Sequence, residues 1–358
     1  MDLIDALHLR AFWKAIRNRS ISRHRNSYWY YLGGLSLFFL LIQIVTGILL
    51  VCYYRPTPGA ANQSIRMMME RVPYGEVIRS IHAWSASALI ALVALHMLSM
   101  FFMKAYTSPR KLLWITGLAL SLLLLAFGFT GYLLPWDPTA YFATGIGVAL
   151  PREIPLIGNL VGAWLRGSRG ITGATLSRMY ALHVAILPLL AVVLVLVHVT
   201  VTTLLGRAPT TAKITGETRF FPDYLLVESI VWLIGLALLL TVAVLFPWPL
   251  AGAYDLAKPT EPPAGLHPAW YFMFLYQTLR YLPNWATVWL YLIVLIVWFC
   301  VPWLESRFTI WKRLLTGVGI ILITGFALLT TLAYISVAKE KAAVPAEHVV
   351  PALDTAAY

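Results

Sequence analysis

Apolar residues dominate this chain in long runs that contain no Asp, Glu, Lys or Arg. Such runs reach roughly 20 residues or more, the length at which an α-helix crosses a bilayer. The pattern predicts seven membrane-spanning helices, numbered here as spans one to seven in chain order. The predicted spans are Tyr31–Tyr54, Ser80–Met103, Leu112–Trp136, Met179–Gly206, Ser229–Tyr254, Tyr281–Leu304 and Leu314–Ala338.

Polar segments between the spans divide the chain into regions. These are an amphipathic N-terminus (1–30), a four-helix domain (31–206), a linker (207–222), a three-helix domain (223–338) and a poorly ordered tail (339–358). Leu3–Arg17 mixes apolar and basic residues, as a helix lying on a membrane surface does. Because residues 1–30 lack the apolar core of a signal peptide, we expect no cleavable signal. The expected fold is an all-α membrane protein, with a four-helix bundle followed by three C-terminal helices.

Composition and charge support a membrane location. The chain is 60% hydrophobic and only 12% charged, whereas soluble domains contain about 25% charged residues. Its net charge of +12 is therefore not taken as a sign of nucleic-acid binding. Lys and Arg favour the short loops on the N-terminal side, so the N-terminus is predicted to be cytoplasmic and the C-terminus periplasmic. We expect a bacterial cytoplasmic (inner) membrane, and call its two sides inner and outer.

Four of the eight histidines lie inside predicted spans: His82 and His96 in span two, and His183 and His198 in span four. Separations of 14 and 15 residues put both histidines of a span on one helix face, about 21–22 Å apart. Spans two and four run in the same direction, so one pair would meet near the outer side and the other near the inner side. Each pair can supply two axial imidazoles to a haem iron. Two matched pairs favour two haems over unrelated core histidines.

Glycines repeat at the same interval in the neighbouring spans. Gly33 and Gly47 lie in span one, and Gly117 and Gly131 lie in span three. Because glycine allows close approach to a backbone, these positions are predicted to make room for two haem macrocycles. The alternative is that they serve helix packing alone.

Two arginines occupy the outer ends of the histidine-bearing spans. Arg79 precedes His82 by three residues, and Arg178 precedes His183 by five. We predict that they pair with the propionates of an outer haem. The alternative is that they anchor the spans at the membrane interface.

Several segments resemble the cytochrome b family of the bc and b6f complexes. RSIHAWSAS (Arg79–Ser87), GYLLPWD (Gly131–Asp137) and RMYALH (Arg178–His183) are similar to the cytochrome b6 versions, and so is the 15-residue histidine separation in span four. The last three spans, with HPAWYFMFLYQTLRYLPN between spans five and six, resemble subunit IV of b6f. The resemblance covers nearly the whole chain and joins a b6-like part to a subunit IV-like part.

This resemblance implies cofactors and partners. An outer, low-potential b haem would be bound by His82 and His183, and an inner, higher-potential b haem by His96 and His198. A quinol-oxidation pocket would lie between the outer loops Asp137–Arg178 and Asp255–Arg280, and quinone, either menaquinone or ubiquinone, would be reduced near the inner haem. The implied partners are membrane lipid, a Rieske iron–sulfur protein and/or a c-type cytochrome, and a second copy in a homodimeric complex.

Two positions depart from the family pattern. In WYYLGG, Tyr31 occupies the place of a cysteine that tethers a third haem in b6-type members, which excludes a thioether-bound haem there but not a non-covalent one. In the outer loop the family's Pro-Glu-Trp-Tyr becomes Pro-Ala-Trp-Tyr, with Ala269 in place of the glutamate. That glutamate accepts a proton from the quinol, and such groups contribute about 10²–10⁴-fold to a rate.

Other residues of the outer loops are candidates to replace the glutamate. His267, Asp137, Glu261 and Glu153 can accept protons, and Tyr271 belongs to the same pocket. His267 lies two residues from Ala269, and histidine changes its protonation state near neutral pH. The alternatives are a solvated loop histidine and, for Asp137, a loop cap.

Three functions fit the sequence. The first is a di-haem cytochrome b subunit of a bacterial quinol:electron-acceptor oxidoreductase, which moves electrons between quinone sites across the membrane. The second is a di-haem conduit between the quinone pool and a periplasmic redox partner without quinol bifurcation, which the Ala269 replacement favours. The third is a haem-free transporter or structural subunit, because intramembrane histidines also serve proton relays.

Overall fold

The computed structural model describes residues 20–24, 26–206, 214–258, 261–307 and 309–343. The predicted surface helix Leu3–Arg17 lies outside these residues, as does the tail beyond residue 343. The helices are α1 Tyr31–Val51, α2 Ala61–Arg71, α3 Gly75–Phe102, α4 Lys111–Tyr132, α5 Pro138–Ala149, α6 Gly158–Arg166, α7 Gly173–Leu205, α8 Leu225–Leu245, α9 Met273–Tyr281, α10 Asn284–Arg307 and α11 Thr309–Ala342.

Seven helical segments of the described chain are long and apolar enough to cross a membrane. They are Ser27–Val51, Gly75–Phe102, Lys111–Tyr132, Gly173–Leu205, Phe220–Leu245, Asn284–Glu305 and Leu314–Ala342. The predicted all-α fold with seven spans is therefore confirmed. Predicted and observed ends differ where an uncharged run continues past the helix. Span five was extended to Tyr254, but the helix ends at Leu245 because Pro247 and Pro249 cannot continue it.

Short helices lie between the spans. Helices α5 and α6 occupy the connection after α4, and α9 precedes α10. Asp137 begins α5 by accepting a hydrogen bond from the backbone N–H of Ala140 at 2.8 Å, with Pro138 in the first turn. Gly167, with φ of 76°, ends α6 in the left-handed conformation that glycine tolerates.

A small antiparallel ribbon was not predicted. Strand β1 (Ser20–His24) pairs with strand β2 (Ile214–Arg219), with an irregular register between Arg23 and His24. Strand β2 falls in the segment predicted as a linker, residues 207–222. Neither SISRH nor ITGETR has the alternating apolar pattern that identifies strands in a sequence, so only the pairing of distant segments reveals the ribbon.

The chain forms two compact units. The first contains the described residues up to Arg55 together with Gln63–Thr130 and Ala181–Leu250, and Phe39, Leu89 and Leu239 form a buried cluster in it. The second contains Pro56–Asn62, Gly131–Tyr180 and the described residues from Ala251 onward. Its buried cluster is Met273, Ala333 and Val337. All four intramembrane histidines belong to the first unit.

Candidate functional site

Two histidine rings face each other between α3 and α7. The ring centroids of His82 and His183 lie 6.4 Å apart, with the ring planes inclined at 71°. A metal bound to one nitrogen of each ring at about 2 Å, with each centroid about 1 Å behind its nitrogen, would separate the centroids by about 6 Å. The observed spacing therefore suits two axial imidazoles on one metal. His96 and His198, further along the same helices, lie close enough to interact electrostatically.

A local irregularity in α7 positions His183. Residues Leu182–Ile186 form a π-helical segment. Pro188 follows directly, has no backbone N–H and crowds the carbonyl four residues earlier. Hydrogen bonds from residue i to i+5 accommodate the proline and absorb about one residue of helical rotation. The 15-residue separation of His183 and His198 thus acts like the 14-residue separation on α3.

Three of the four predicted glycines lie against histidine rings. A Cβ atom on each would approach the Cε1 atom of a ring, at 3.2 Å for Gly33 and His96, 3.4 Å for Gly47 and His82, and 3.4 Å for Gly117 and His198. The Gly33 distance is tighter than nine in ten real Cβ contacts, and the two 3.4 Å distances lie at the border of ordinary van der Waals contact. Glycine thus allows each ring to pack closely on the neighbouring helix. The role of Gly131 stays a prediction.

Threonine hydroxyls lie beside three of the four histidines and were missed in the sequence. The Oγ1-to-Nδ1 distances are 2.9 Å for Thr46 and His82, 2.8 Å for Thr116 and His198, and 3.1 Å for Thr130 and His183. Each threonine directly precedes one of the predicted glycines. The recurring Thr-Gly pair was therefore the available signal.

Both predicted arginines donate to backbone carbonyls. Arg79 is buried, and its guanidinium donates to the carbonyl oxygens of Trp248 and, at 2.9 Å, Pro249. Arg178 donates to the carbonyl of Trp164 and lies 5.8 Å from the centre of the same indole ring. These contacts join Arg79 to the segment that follows α8, and Arg178 to helix α6. Pairing with haem propionates stays a prediction for both.

Residues predicted for the outer quinone pocket, among them His267 and Tyr271, belong to the second unit. Tyr132 donates its hydroxyl hydrogen bond to the carbonyl of His267 at 3.3 Å, and the His267 ring centroid is 6.2 Å from that of Tyr334. Ala269 begins the short helix Trp270–Phe272. Burial raises the pKa of Tyr271 to about 12, so its phenol keeps its proton at neutral pH and can donate a hydrogen bond.

The carboxylates proposed as proton acceptors have different surroundings. Asp137 caps the first turn of α5, whereas a cap within a loop was the alternative considered in the sequence. Glu261 is exposed, and Glu153 is half-buried in a short helix after α5.

Comparison with known proteins identifies the family. Residues 18–205 match the family model described as Cytochrome b/b6/petB, and residues 256–350 match Cytochrome b(C-terminal)/b6/petD. The chain belongs to the cytochrome b/b6 family. A cytochrome bc complex cytochrome b subunit from Chlorobaculum thiosulfatiphilum is 42% identical over 328 residues, which are 88% of this chain and 76% of that protein.

A second relative agrees with the family resemblance inferred from the sequence, which is thereby confirmed. Cytochrome b6 of Euglena gracilis is 39% identical over 194 residues, which cover 54% of this chain and 90% of the relative. A solved chain titled "Hyperthermophilic respiratory Complex III" has the same fold, with a TM-score of 0.78 at 24% identity over 93% of this chain and 91% of that one.

Membership in the cytochrome b/b6 family implies binding of b-type haem and quinone. The histidine geometry fits haem, because the His82 and His183 rings have a spacing that suits one iron, and glycine lies beside three of the four rings. No group of three or more His, Cys, Asp or Glu suited to a metal ion occurs within the described ranges. Paired imidazoles match an iron whose remaining ligands come from a macrocycle.

A buried carboxylate near the start of α8 was missed in the sequence. Glu228 accepts hydrogen bonds from the hydroxyl of Tyr224 and, at 3.1 Å, from Nε1 of Trp232. The ring of Tyr31, at the family's cysteine position, stacks on Tyr224 with centroids 4.8 Å apart. Glu228 immediately precedes the uncharged run predicted as span five, so the criterion of charge-free residues left it outside.

Proposed function

We propose that this chain is the di-haem cytochrome b subunit of a bacterial quinol:electron-acceptor oxidoreductase of the bc type. The observation that carries the proposal is the pair His82 and His183, whose spacing suits one iron, repeated by His96 and His198 along the same helices. When bound, haem moves single electrons. Two haems about 21 Å apart along the helices would connect the two sides of the membrane.

The protein's own contribution is to hold and orient these groups. His82 and His183 would bind the outer haem, and His96 and His198 the inner haem. Gly33, Gly47 and Gly117 leave space beside three of the rings, and Gly131 and the two arginines Arg79 and Arg178 complete the proposed haem surroundings. The burial of such a site and the hydrogen bonds around its ligands tune the reduction potential of the bound group.

The outer pocket would bind quinol through polar groups that are present although Ala269 replaces the family glutamate. Nδ1 of His267 lies 2.9 Å from the carbonyl oxygen of Pro268. Because a carbonyl oxygen can only accept, Nδ1 carries the proton and Nε2 is left as an acceptor. We infer that Nε2 of His267 accepts the quinol hydroxyl, while Tyr271 acts as a donor and Asp137 as a second polar wall.

The membrane location and the partners of the subunit follow from the same proposal. The subunit would lie in the bacterial inner membrane, with its N-terminus cytoplasmic and its C-terminus periplasmic. It would function in a homodimeric complex with a Rieske iron–sulfur protein and/or a c-type cytochrome, using menaquinone or ubiquinone. Residues 31–206 would form the di-haem domain and residues 223–338 the subunit IV-like domain. Tyr31 leaves no thiol for a covalent third haem.

The haem count of the purified complex tests this function. We expect two b-type haems per chain by pyridine haemochrome, and loss of one of them in His183→Ala. Wild-type protein without b-type absorption would support a haem-free transporter instead. An unchanged spectrum in His183→Ala would show that His183 is not a ligand. Tyr180→Phe is a matched control, because it changes a ring on the same helix outside the histidine pairs.

A conduit without bifurcation is the second candidate, and Ala269 favours it. In a bifurcating complex, quinol reduces the inner haem through the outer pocket, and an inhibitor of that pocket blocks the reduction. In a conduit, the reduction persists with the inhibitor present. A Rieske partner in the purified complex would support bifurcation, and His267→Gln would then slow quinol oxidation by about 10²-fold if His267 replaces the glutamate.

A further inference from the structure

Three threonine hydroxyls lie within hydrogen-bonding distance of histidine Nδ1 atoms, as described above. Each of these hydroxyls also donates to the backbone carbonyl four residues earlier in its own helix. The distances are 2.7 Å from Thr46 to Ile42, 2.9 Å from Thr116 to Leu112 and 2.8 Å from Thr130 to Ala126. Threonine commonly makes this bond inside a helix.

The direction of the histidine contacts follows from proton counting. A hydroxyl carries one proton and two acceptor lone pairs. When that proton is committed to the helix carbonyl, the oxygen can only accept from a second neighbour. Nδ1 of His82, His183 and His198 must therefore carry a proton and donate it to the threonine. The other ring nitrogen, Nε2, is then unprotonated and available to a metal.

We propose that Thr46, Thr116 and Thr130 are positioning residues that fix their histidines in the metal-binding tautomer and increase the basicity of the ligand. This inference rests on the two-haem function proposed above. A hydrogen bond to the distal nitrogen of a metal-bound imidazole orients the ring and strengthens donation to the metal. Stronger donation stabilises ferric over ferrous iron and so lowers the reduction potential.

The fourth histidine breaks the pattern. Nδ1 of His96 is buried and has no hydrogen-bond partner within the described part of the chain. The residue before its glycine, Gly33, is Leu32, where the other three glycines follow a threonine. The outer haem is thus supported by two threonines and the inner haem by one. This difference contributes to a lower potential for the outer haem and a higher one for the inner haem.

Potentiometric titration of the purified complex tests the assignment, haem by haem. Losing such a contact typically costs 10–100-fold in metal affinity, and a tenfold loss confined to ferric iron raises the potential by about 59 mV. Thr46→Val should raise the potential of one haem by about this amount, and Thr116→Val should raise that of the other. Leu32→Thr should lower the potential that Thr116→Val raises.

Two controls separate the hydroxyl from its surroundings. Thr46→Ser keeps the hydroxyl and should restore the wild-type potential. Thr241→Val removes a threonine with the same helix-carbonyl bond, on a helix that carries no histidine, and should shift neither haem. Ferric low-spin EPR signals provide a second readout, because they respond to imidazole orientation and donor strength.

Each outcome decides the proposal. Loss of a haem in Thr46→Val but not in Thr46→Ser supports it, because weaker ligation then follows the hydroxyl. Loss in both variants overturns it, since packing would be responsible. Two retained haems with unchanged potentials in Thr46→Val and Thr116→Val overturn it and leave the two-haem function intact. Fewer than two b haems in the wild-type complex would refute the proposed function itself.

Discussion

Replacing Gly34 with alanine should destabilise the first unit by displacing Glu228. A Cβ atom on Gly34 would overlap Oε1 of Glu228. That carboxylate accepts hydrogen bonds from Tyr224 and Trp232, and it is only 5% exposed. The substitution therefore forces a buried charged acceptor away from both of its donors.

The loss in free energy of unfolding can be calculated from the two hydrogen bonds. Each bond to a charged group contributes about 1.5–3 kcal/mol, so losing both costs about 3–6 kcal/mol. Alanine is better than glycine inside a helix by about 1 kcal/mol. The net loss in free energy of unfolding is therefore about 2–5 kcal/mol. At the lower limit this lowers the melting temperature by about 4–8 °C for a body of roughly 150–250 residues.

Circular dichroism of the complex in detergent micelles measures the melting temperature. Gly325→Ala is the matched control, because nothing lies within 4 Å of the added Cβ; its melting temperature should stay the same or rise. Glu228→Ala removes the carboxylate that the added Cβ would overlap. In that background, Gly34→Ala should therefore not lower the melting temperature further. Equal melting temperatures for Gly34→Ala and Gly325→Ala, or an undiminished loss in the Glu228→Ala background, would refute the reasoning.

Three other substitutions test local features of the structure. Gly47→Val should reduce haem retention, because even its Cβ would lie 3.4 Å from His82 Cε1 and two methyl groups extend beyond it; a full haem content would contradict this. Asp137→Ala should lower the free energy of unfolding by about 1 kcal/mol through loss of the α5 cap, whereas Asp137→Asn should retain the cap and stay within a few tenths of wild type. Because burial raises the pKa of Tyr271 from 10.0 to about 12, stability from this residue is complete below pH 10 and is lost as pH rises towards 12, by about 2–3 kcal/mol in all. Tyr271→Phe should therefore lose less stability than wild type between pH 9 and pH 11 in denaturant titrations, and parallel pH profiles would contradict the shift.

The sequence by itself determined the number of spans, because a bilayer excludes charged residues from a helix of about 20 residues. Helical periodicity was also enough to predict that His82 shares a face with His96, and His183 with His198. The glycines Gly33, Gly47 and Gly117 could be selected by the same interval. These inferences depend only on hydropathy and on rotation along one helix, which are local properties.

Contacts between helices were decided by the tertiary structure. The π segment before Pro188 brings the 15-residue interval of α7 into line with the 14-residue interval of α3, which counting at 100° per residue does not foresee. The positions of Thr46 beside His82 and of Glu228 beside Gly34 were likewise not predictable from rotation along one helix. Each of these contacts joins residues distant in the chain, and it depends on how two helices are rotated against each other. Hydropathy does not encode that rotation, because a threonine or glutamate reads as the same polar residue whether it faces a histidine, a tyrosine or lipid.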